Sequence, residues 1–148
     1  MALIDKIREE VVKVPLEGQN KPDILRELVQ VLVDAGELGD SESAYRALLE
    51  REGRGSTGLE KGIAVPHAKT AAVDKLTIAI GIAPNGVDFD AQDGNPSKLF
   101  FLLLAAPDQS GPHIEALSEI ARLTKSDAFC RALANAESPQ EVIELVQD

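Results

Sequence analysis

Cysteine is nearly absent from this chain, since Cys130 is the only one among 148 residues. No intramolecular disulfide can form, and a cysteine-rich metal site is excluded. Long apolar runs are also missing: the longest extends only from Leu99 to Pro107, far too short to span a bilayer. The segment from Met1 to Lys6 has no long apolar run behind a basic start, so no signal peptide is indicated. These absences predict a cytoplasmic protein without direct membrane insertion.

Basic residues are scarce as well. The chain has 15 Lys and Arg against 25 Asp and Glu, a net charge of −10, and no run rich in Lys or Arg. Such a chain should repel nucleic acids and anionic membranes, because both are polyanions. With 44% apolar and 27% charged residues, the composition is that of an ordinary globular protein. A chain of this length predicts one domain over residues 1–148 that needs no metal or disulfide to fold.

Segments with helical and extended patterns alternate along the chain. Apolar residues at three- and four-residue spacing predict helices over 21–35, 41–52 and 113–124. Two more helices, over 126–133 and 139–146, are predicted with the capping-type residues Ser126 and Ser138 at their starts. Apolar or β-branched runs predict extended segments at 11–14, 63–65, 76–83 and 98–106. The last two runs lack clean alternation, which is typical of strands covered on both faces. The sequence therefore predicts an α/β fold, a three-layer helix–sheet–helix sandwich whose mixed or mainly parallel sheet is mostly buried.

Both histidines lie at the ends of predicted elements. His67 follows the run 63–66 where a buried segment reaches the surface, and His113 follows Gly111 and Pro112 at a predicted helix N-terminus. Binding and catalytic side chains concentrate in such places. An imidazole, with an unperturbed pKa of about 6.5, offers a neutral nucleophilic nitrogen for reversible phosphoryl transfer, and a helix N-terminus could supply N–H donors to the anion. Position alone leaves open that both are surface histidines without a function.

Other motifs give little support to other chemistries. The glycine-rich loop 53–58 lacks the Gly-Lys-Ser/Thr ending of a nucleotide-binding loop and does not match a serine-hydrolase elbow. A zinc site needs three or four ligands, whereas the two histidines are 46 residues apart. Cys130 is expected to be a buried structural thiol. The cluster Glu50-Arg51-Glu52, taken by itself, indicates a solvated group of charges at a helix end.

Several separated blocks of sequence together resemble one known family. In chain order they are residues 49–52, 56–58, 62–67, 87–90, 93–94 and 100–107, followed by His113 with Leu117 and residues 120–123. Their order and spacing are similar to the active-site signature of phosphotransferase-system enzyme IIA of the fructose–mannitol class, which includes nitrogen-regulatory relatives. The resemblance covers roughly residues 3 to 146.

The resemblance implies a role for three residues. His67 would accept a phosphoryl group from the phosphohistidine of HPr or an HPr-like carrier. Arg51, sixteen residues earlier, would be the electrostatic partner of the phosphoryl group, and His113 would help to hold it. The family has a mixed sheet flanked by helices and needs no metal or organic cofactor.

Three functions are compatible with these expectations. The first is a phosphotransferase with a phosphohistidine intermediate, which passes the group from His67 to a cysteine of an enzyme IIB in the import of a fructose- or mannitol-type sugar. The second is a nitrogen-regulatory-type signalling module, in which phosphorylation of His67 controls binding to target proteins. The third is a structural or ligand-binding domain that has lost the activity. Because the first two share their chemistry, the motif does not choose between them.

Overall fold

A computed structural model describes residues 3–147, so Met1, Ala2 and Asp148, the ends of the predicted domain, lie outside the described residues. Five strands form one sheet in the order β1-β4-β5-β2, and β3 also pairs with β5. Strands β4 and β5 are antiparallel, whereas the other pairs are parallel. The strands are β1 (Val12–Lys13), β2 (Ile63–Ala64), β3 (His67–Lys69), β4 (Thr77–Val87) and β5 (Ser97–Ala105).

Five α-helices and two short 3₁₀ helices complete the described part of the chain. The 3₁₀ helices cover Leu3–Lys6 and Glu9–Val11, and the α-helices are α1 (Lys21–Asp34), α2 (Ser41–Gly53), α3 (Ser110–Leu123), α4 (Asp127–Ala134) and α5 (Pro139–Gln147). Side chains of Asn20, Asp40 and Ser126 accept hydrogen bonds from the first turns of α1, α2 and α4. These polar caps explain why the helices begin where the sequence predicts.

The sheet lies between two helical layers. Successive side chains of β5 alternate between two apolar clusters: Phe100 and Leu102 pack with α1 and α2, and Leu99 and Phe101 pack with α3, α4 and α5. Because a strand presents successive side chains to opposite faces, apolar residues at every position mean that both faces are covered. The predicted α/β fold, a helix–sheet–helix sandwich with a mixed and mainly buried sheet, is confirmed.

Two strands differ from the prediction. Strand β4 continues beyond the extended segment predicted at 76–83, through Pro84 and as far as Val87. Its pairing with β5 is irregular between Ile82 and Val87, and such an irregularity tolerates a residue that has no N–H to donate. The extended segment predicted at 63–65 is also longer than expected. It begins as β2, and after Pro66 the backbone is extended again as β3; both strands pair with β5.

Candidate active site

His67 is the first residue of β3, directly after the proline that separates β3 from β2. The carbonyl of Pro66 still accepts a hydrogen bond from Leu103 N of β5, at 2.9 Å, so the chain stays tied to the sheet through this break. The half-buried His67 ring lies with Nδ1 2.8 Å from the carbonyl oxygen of Val65. A carbonyl oxygen can only accept, so Nδ1 carries the ring proton in the neutral form. Nε2 is then the nitrogen with a free lone pair.

His113 lies beside His67. The two ring centroids are 5.2 Å apart, with the ring planes at 71°. His113 is only 6% exposed, and its Nε2 has no hydrogen-bond partner among residues 3–147. Burial, followed by the positive potentials of His67 and Lys69, lowers the pKa of His113. The lowered pKa favours the neutral form of this second imidazole, and its buried Nε2 can still form a hydrogen bond.

Helix α3 begins earlier than predicted. It starts at Ser110 rather than at His113, and the His113 amide donates to the carbonyl of Gln109 at 3.1 Å. The expectation that His113 marks the helix N-terminus is therefore wrong, because the Ser-Gly-Pro sequence, which looks like a loop, forms the first turn. The side chain of His113, not its amide, is the group available to the site.

Arg51 lies in the last turn of α2, and its Nη1 donates to the carbonyl of Gly55 at 2.8 Å. Two cavities adjoin the site, and both are lined by Arg51 and His67. The first has a volume of about 350 Å³ and is also lined by His113, Lys69 and Arg54. The structure therefore brings together the three residues that the sequence singles out, although they come from α2, β3 and α3.

The second cavity, of about 300 Å³, is largely apolar. Besides Arg51 and His67, its lining includes Val65, Leu117 and Ile120. Leu59, at its rim, is 37% exposed, and Ile114 on α3 is 63% exposed. Apolar surface beside a functional side chain is typical of a place where another protein docks.

Two charged residues that the sequence did not identify belong to this region. Lys69, two residues after His67 on β3, donates from Nζ to Ser110 Oγ at 2.6 Å, so β3 and α3 are joined both there and at the paired rings. Glu52, expected to be solvated, is 8% exposed. That expectation is wrong, and a signal was present: Ala44, Leu48 and Glu52 follow one another at four-residue spacing on the buried side of α2.

Cys130 is buried on α4, and burial raises the pKa of its thiol. Its Sγ donates to the carbonyl of Thr124 at 3.4 Å. Within residues 3–147, no cluster of three or more His, Cys, Asp and Glu side chains is arranged to bind a metal ion. Over the same residues, every helix is too short or too polar to traverse a bilayer.

The sequence is similar to proteins of two kinds. The fructose-specific EIIABC component of Bacillus subtilis is 36% identical over 146 residues, which are 99% of this chain but only 23% of that relative. The fructose-specific EIIA component of Haloferax volcanii is 37% identical, over 94% of this chain and 90% of that protein. The nitrogen regulatory protein of Bradyrhizobium diazoefficiens is 32% identical, over 96% of this chain and 92% of that protein.

Solved structures give the same two kinds of relative. The nitrogen regulatory protein IIA-Ntr of Neisseria meningitidis superposes with a TM-score of 0.88 at 28% identity, over 97% of this chain and 98% of that one. Enzyme IIA for mannitol of Escherichia coli, solved in complex with phosphorylated enzyme IIB, has a TM-score of 0.81 at 26% identity, over 96% and 97% of the two chains.

The model of the family described as "Phosphoenolpyruvate-dependent sugar phosphotransferase system, EIIA 2" matches residues 5–148. This match covers nearly the whole chain, and it agrees with the identity to relatives and with the superposed structures. The resemblance seen in the sequence is confirmed. The chain belongs to the EIIA 2 family of the phosphoenolpyruvate-dependent sugar phosphotransferase system.

Proposed function

We propose that the chain accepts a phosphoryl group on Nε2 of His67 and passes it on to a second protein. The observation that carries this proposal is the hydrogen bond of His67 Nδ1 with the carbonyl of Val65, at 2.8 Å, since it leaves Nε2 as the unprotonated nitrogen. Nε2 belongs to a half-buried ring next to a cavity lined by cations. A neutral nucleophile close to positive charge is what a phosphoryl acceptor requires.

The transfer is a displacement at phosphorus. The lone pair of His67 Nε2 forms a new N–P bond while the N–P bond to the donor histidine breaks, and its electron pair returns to the donor ring. Since His67 keeps its proton on Nδ1, the phosphorylated ring carries positive charge, and the Val65 carbonyl stabilises it by accepting that proton's hydrogen bond. In the second step an acceptor thiolate attacks phosphorus and the electron pair returns to Nε2.

Arg51 and His113 would bind the phosphoryl oxygens. The Arg51 guanidinium has donors beyond the one bonded to Gly55, and it can present them to an anion in the cavity it shares with His67. The buried Nε2 of His113 gains the hydrogen-bond partner it lacks among the described residues when a phosphoryl oxygen lies between the rings. Each donor that is fixed in place before the reaction contributes to the rate, because no reorganisation is needed.

The proposed donor is HPr or an HPr-like carrier, and the proposed acceptor is the cysteine of an enzyme IIB. The apolar cavity beside His67, with Leu59 at its rim, supports docking of a partner protein on this face. The mannitol relative forms a complex with phosphorylated enzyme IIB, which supports the acceptor. For such a relay in sugar import we expect a cytoplasmic location.

A regulatory role is the second candidate. The nitrogen regulatory proteins among the relatives, including one that superposes with a TM-score of 0.88, support it. In that case the phosphoryl group on His67 would change which target protein binds, because it adds charge and acceptor oxygens to the docking face. The chemistry at His67 is the same for both candidates.

One relay experiment tests the proposal. The chain is incubated with labelled phosphoenolpyruvate, enzyme I and HPr, and the labelled site is mapped by mass spectrometry. We expect one acid-labile phosphate on Nε2 of His67 and none in His67→Ala, since the second imidazole of the site, that of His113, is only 6% exposed and is less accessible to a donor protein. An equal amount of label in His67→Ala would contradict the proposal.

The next step of the same experiment separates the two roles. Purified enzyme IIB domains of the fructose and mannitol types are added to the labelled chain. Transfer of label to a IIB cysteine identifies a sugar-import component. Retention of the label, together with binding of a target protein that depends on phosphorylation, identifies a regulator.

A further inference from the structure

A buried carboxylate lies next to Arg51 and is not used in the mechanism above. The side chain of Glu52 is 4% exposed, and its Oε1 is 2.9 Å from Lys21 Nζ. Lys21 comes from the start of α1, and its Nζ also lies 3.1 Å from Asp90 and 4.7 Å from the centroid of the Phe89 ring. Burial alone would lower the pKa of Lys21, but the hydrogen bonds with Glu52 and Asp90 raise it, so the ammonium stays charged.

The same carboxylate binds the loop that follows α2. The amide of Thr57 donates to Glu52 Oε1 at 3.2 Å, and the Thr57 hydroxyl donates to Oε2. Thr57 is itself only 3% exposed. Three donors therefore meet on the two oxygens of one buried carboxylate, which needs both oxygens and its charge to satisfy them.

From Thr57, the hydrogen bonds continue to the reactive histidine. The carbonyl of Thr57 accepts from Val65 N at 3.0 Å, and the carbonyl of Val65 accepts from His67 Nδ1 at 2.8 Å. Pro66, which follows, limits rotation of the backbone between Val65 and His67. The backbone of Val65 is thus held at both its N–H and its C=O, and the position of Thr57 determines where the acceptor for Nδ1 lies.

The loop also holds the arginine. The amide of Gly55 donates to the carbonyl of Glu52 at 3.1 Å, and the carbonyl of Gly55 accepts from Arg51 Nη1 at 2.8 Å. Gly55 lies in the chain between Glu52 and Thr57, which donates two hydrogen bonds to the Glu52 carboxylate. The turn that Glu52 anchors thus contains the Gly55 carbonyl, which accepts from the Arg51 guanidinium. It also contains Thr57, which is bonded to Val65, whose carbonyl is paired with the His67 ring.

We propose that Glu52 is a positioning residue: through Thr57 and Val65 it fixes His67 as the Nδ1–H tautomer, and through the same turn it fixes Arg51. The consequence for the rate rests on the proposed phosphoryl transfer, whereas the consequence for the tautomer does not. Glu52 does not touch the reacting atoms. Its effect is to keep Nε2 unprotonated and the guanidinium in place before a donor arrives.

The test compares Glu52→Gln and Thr57→Val with the parent chain. A carboxamide has one acceptor oxygen for three donors, and valine keeps the shape of threonine without its hydroxyl. We expect the ¹⁵N signals of the His67 ring, measured by NMR without any phosphoryl donor, to change from one tautomer to a mixture. We also expect kcat for phosphoryl transfer to fall by up to about 10²-fold, with a smaller change in KM for the carrier.

Matched controls separate positioning from a general loss of stability. Thr77 is a buried threonine whose hydroxyl donates to the Lys75 carbonyl at 3.0 Å, outside the chain of hydrogen bonds. Thr77→Val should leave the His67 tautomer and kcat unchanged, and Thr57→Ser should restore both. A single Nδ1–H tautomer and a parental kcat in folded Glu52→Gln and Thr57→Val would overturn the inference. If the parent chain accepts no phosphoryl group, the proposed function fails, and the tautomer measurement still decides the role of Glu52.

Discussion

At the scale of single residues, the cavity beside His67 is lined by two positive groups that differ in shape. Arg51 presents a planar guanidinium already oriented by the carbonyl of Gly55, whereas Lys69 presents an ammonium bonded to Ser110. Planar, paired donors match the oxygens of a phosphoryl group, and a point charge contributes attraction without defining an orientation. On the proposed function, we therefore expect Arg51 to orient the phosphoryl group and Lys69 to contribute only to the surrounding positive potential.

Arg51→Gln tests this assignment. We expect phosphoryl transfer from the carrier to slow by roughly 10²–10³-fold, the effect of removing one preorganised donor. The free energy of unfolding should change little, because the side chain is partly exposed and its hydrogen bond is to a loop carbonyl, that of Gly55. Rapid-quench measurement of labelled chain gives the rate, and urea titration gives the stability.

The matched control for Arg51 is Arg46→Gln. Arg46 is exposed on the same helix and lines neither of the two cavities beside His67. Equal losses of rate in the two variants would mean that net charge, not the position of the guanidinium, governs transfer.

The residue scale is also where the sequence was least informative. Arg51 acquires a role only by resemblance, and Glu52 looks like a solvated charge until its partner is known. That partner, Lys21, is 31 residues away in the chain. Local patterns report spacing within a helix, whereas pairing of a buried charge depends on how two helices pack.

At the scale of elements, Arg51 and Glu52 lie in the C-terminal turn of α2. The N-terminus of the same helix is capped by Asp40. Asp40 accepts from Ser43 N at 3.1 Å and from Ser43 Oγ at 2.7 Å. In between, Ala44 and Leu48 are fully buried. The cap therefore contributes to the stability of the helix, while core packing and the anchored turn set the position of its functional end.

Asp40→Ala separates these two contributions. We expect the free energy of unfolding to fall by about 1 kcal/mol, the usual cost of losing an N-cap side chain. The rate of phosphoryl transfer should not change. As a control, Asp34→Ala removes an exposed carboxylate at the end of α1 that accepts a hydrogen bond from Gln30 Nε2 at 2.8 Å. This substitution should alter the free energy of unfolding by less than about 0.5 kcal/mol. A large loss of rate in Asp40→Ala would show that the cap also positions the active end.

Most elements follow from the sequence because their signals are local. The 3.6-residue apolar spacing, the cap at Ser126 and the continuous apolar runs of the central strands are each visible in short windows. Strand β3 and the first turn of α3 do not have such signals. The first depends on pairing with β5 across more than thirty residues, and the second contains glycine and proline, which indicate a loop when read alone.

At the scale of the whole molecule, an acidic chain surrounds a site with local positive charge. The net charge is −10, yet the cavity that contains both histidines is lined by Arg51, Arg54 and Lys69 against the single carboxylate of Glu50. This arrangement attracts a phosphoryl dianion and disfavours a second positive charge on His113. The stability of the molecule should therefore depend on pH through that ring.

The direction of this pH dependence follows from the lowered pKa of His113. Burial is the main cause of that lowering, and the charges of His67 and Lys69 on β3 lower the pKa further. Unfolded, the ring has its ordinary pKa of 6.5. As the pH falls through that value, the unfolded chain takes up a proton that the folded chain does not. The free energy of unfolding should therefore decrease between about pH 7.5 and 5.5, by at most about 1.4 kcal/mol per pH unit from this group, and level off above that range.

Urea titrations of the parent chain and of His113→Asn across this range check the expectation. The substitution lowers stability at every pH because it alters a buried contact, so the comparison is between slopes, not absolute values. Asparagine does not titrate, and the slope should become shallower in the variant. The pKa of Glu27 is lowered from its ordinary value of 4.5, so its contribution to the free energy of unfolding is lost only at lower pH. Such carboxylates do not affect the slopes compared between about pH 7.5 and 5.5. Parallel curves for the two chains would mean that His113 takes up its proton equally well folded and unfolded, and the neutral second ring proposed for the site would have to be abandoned.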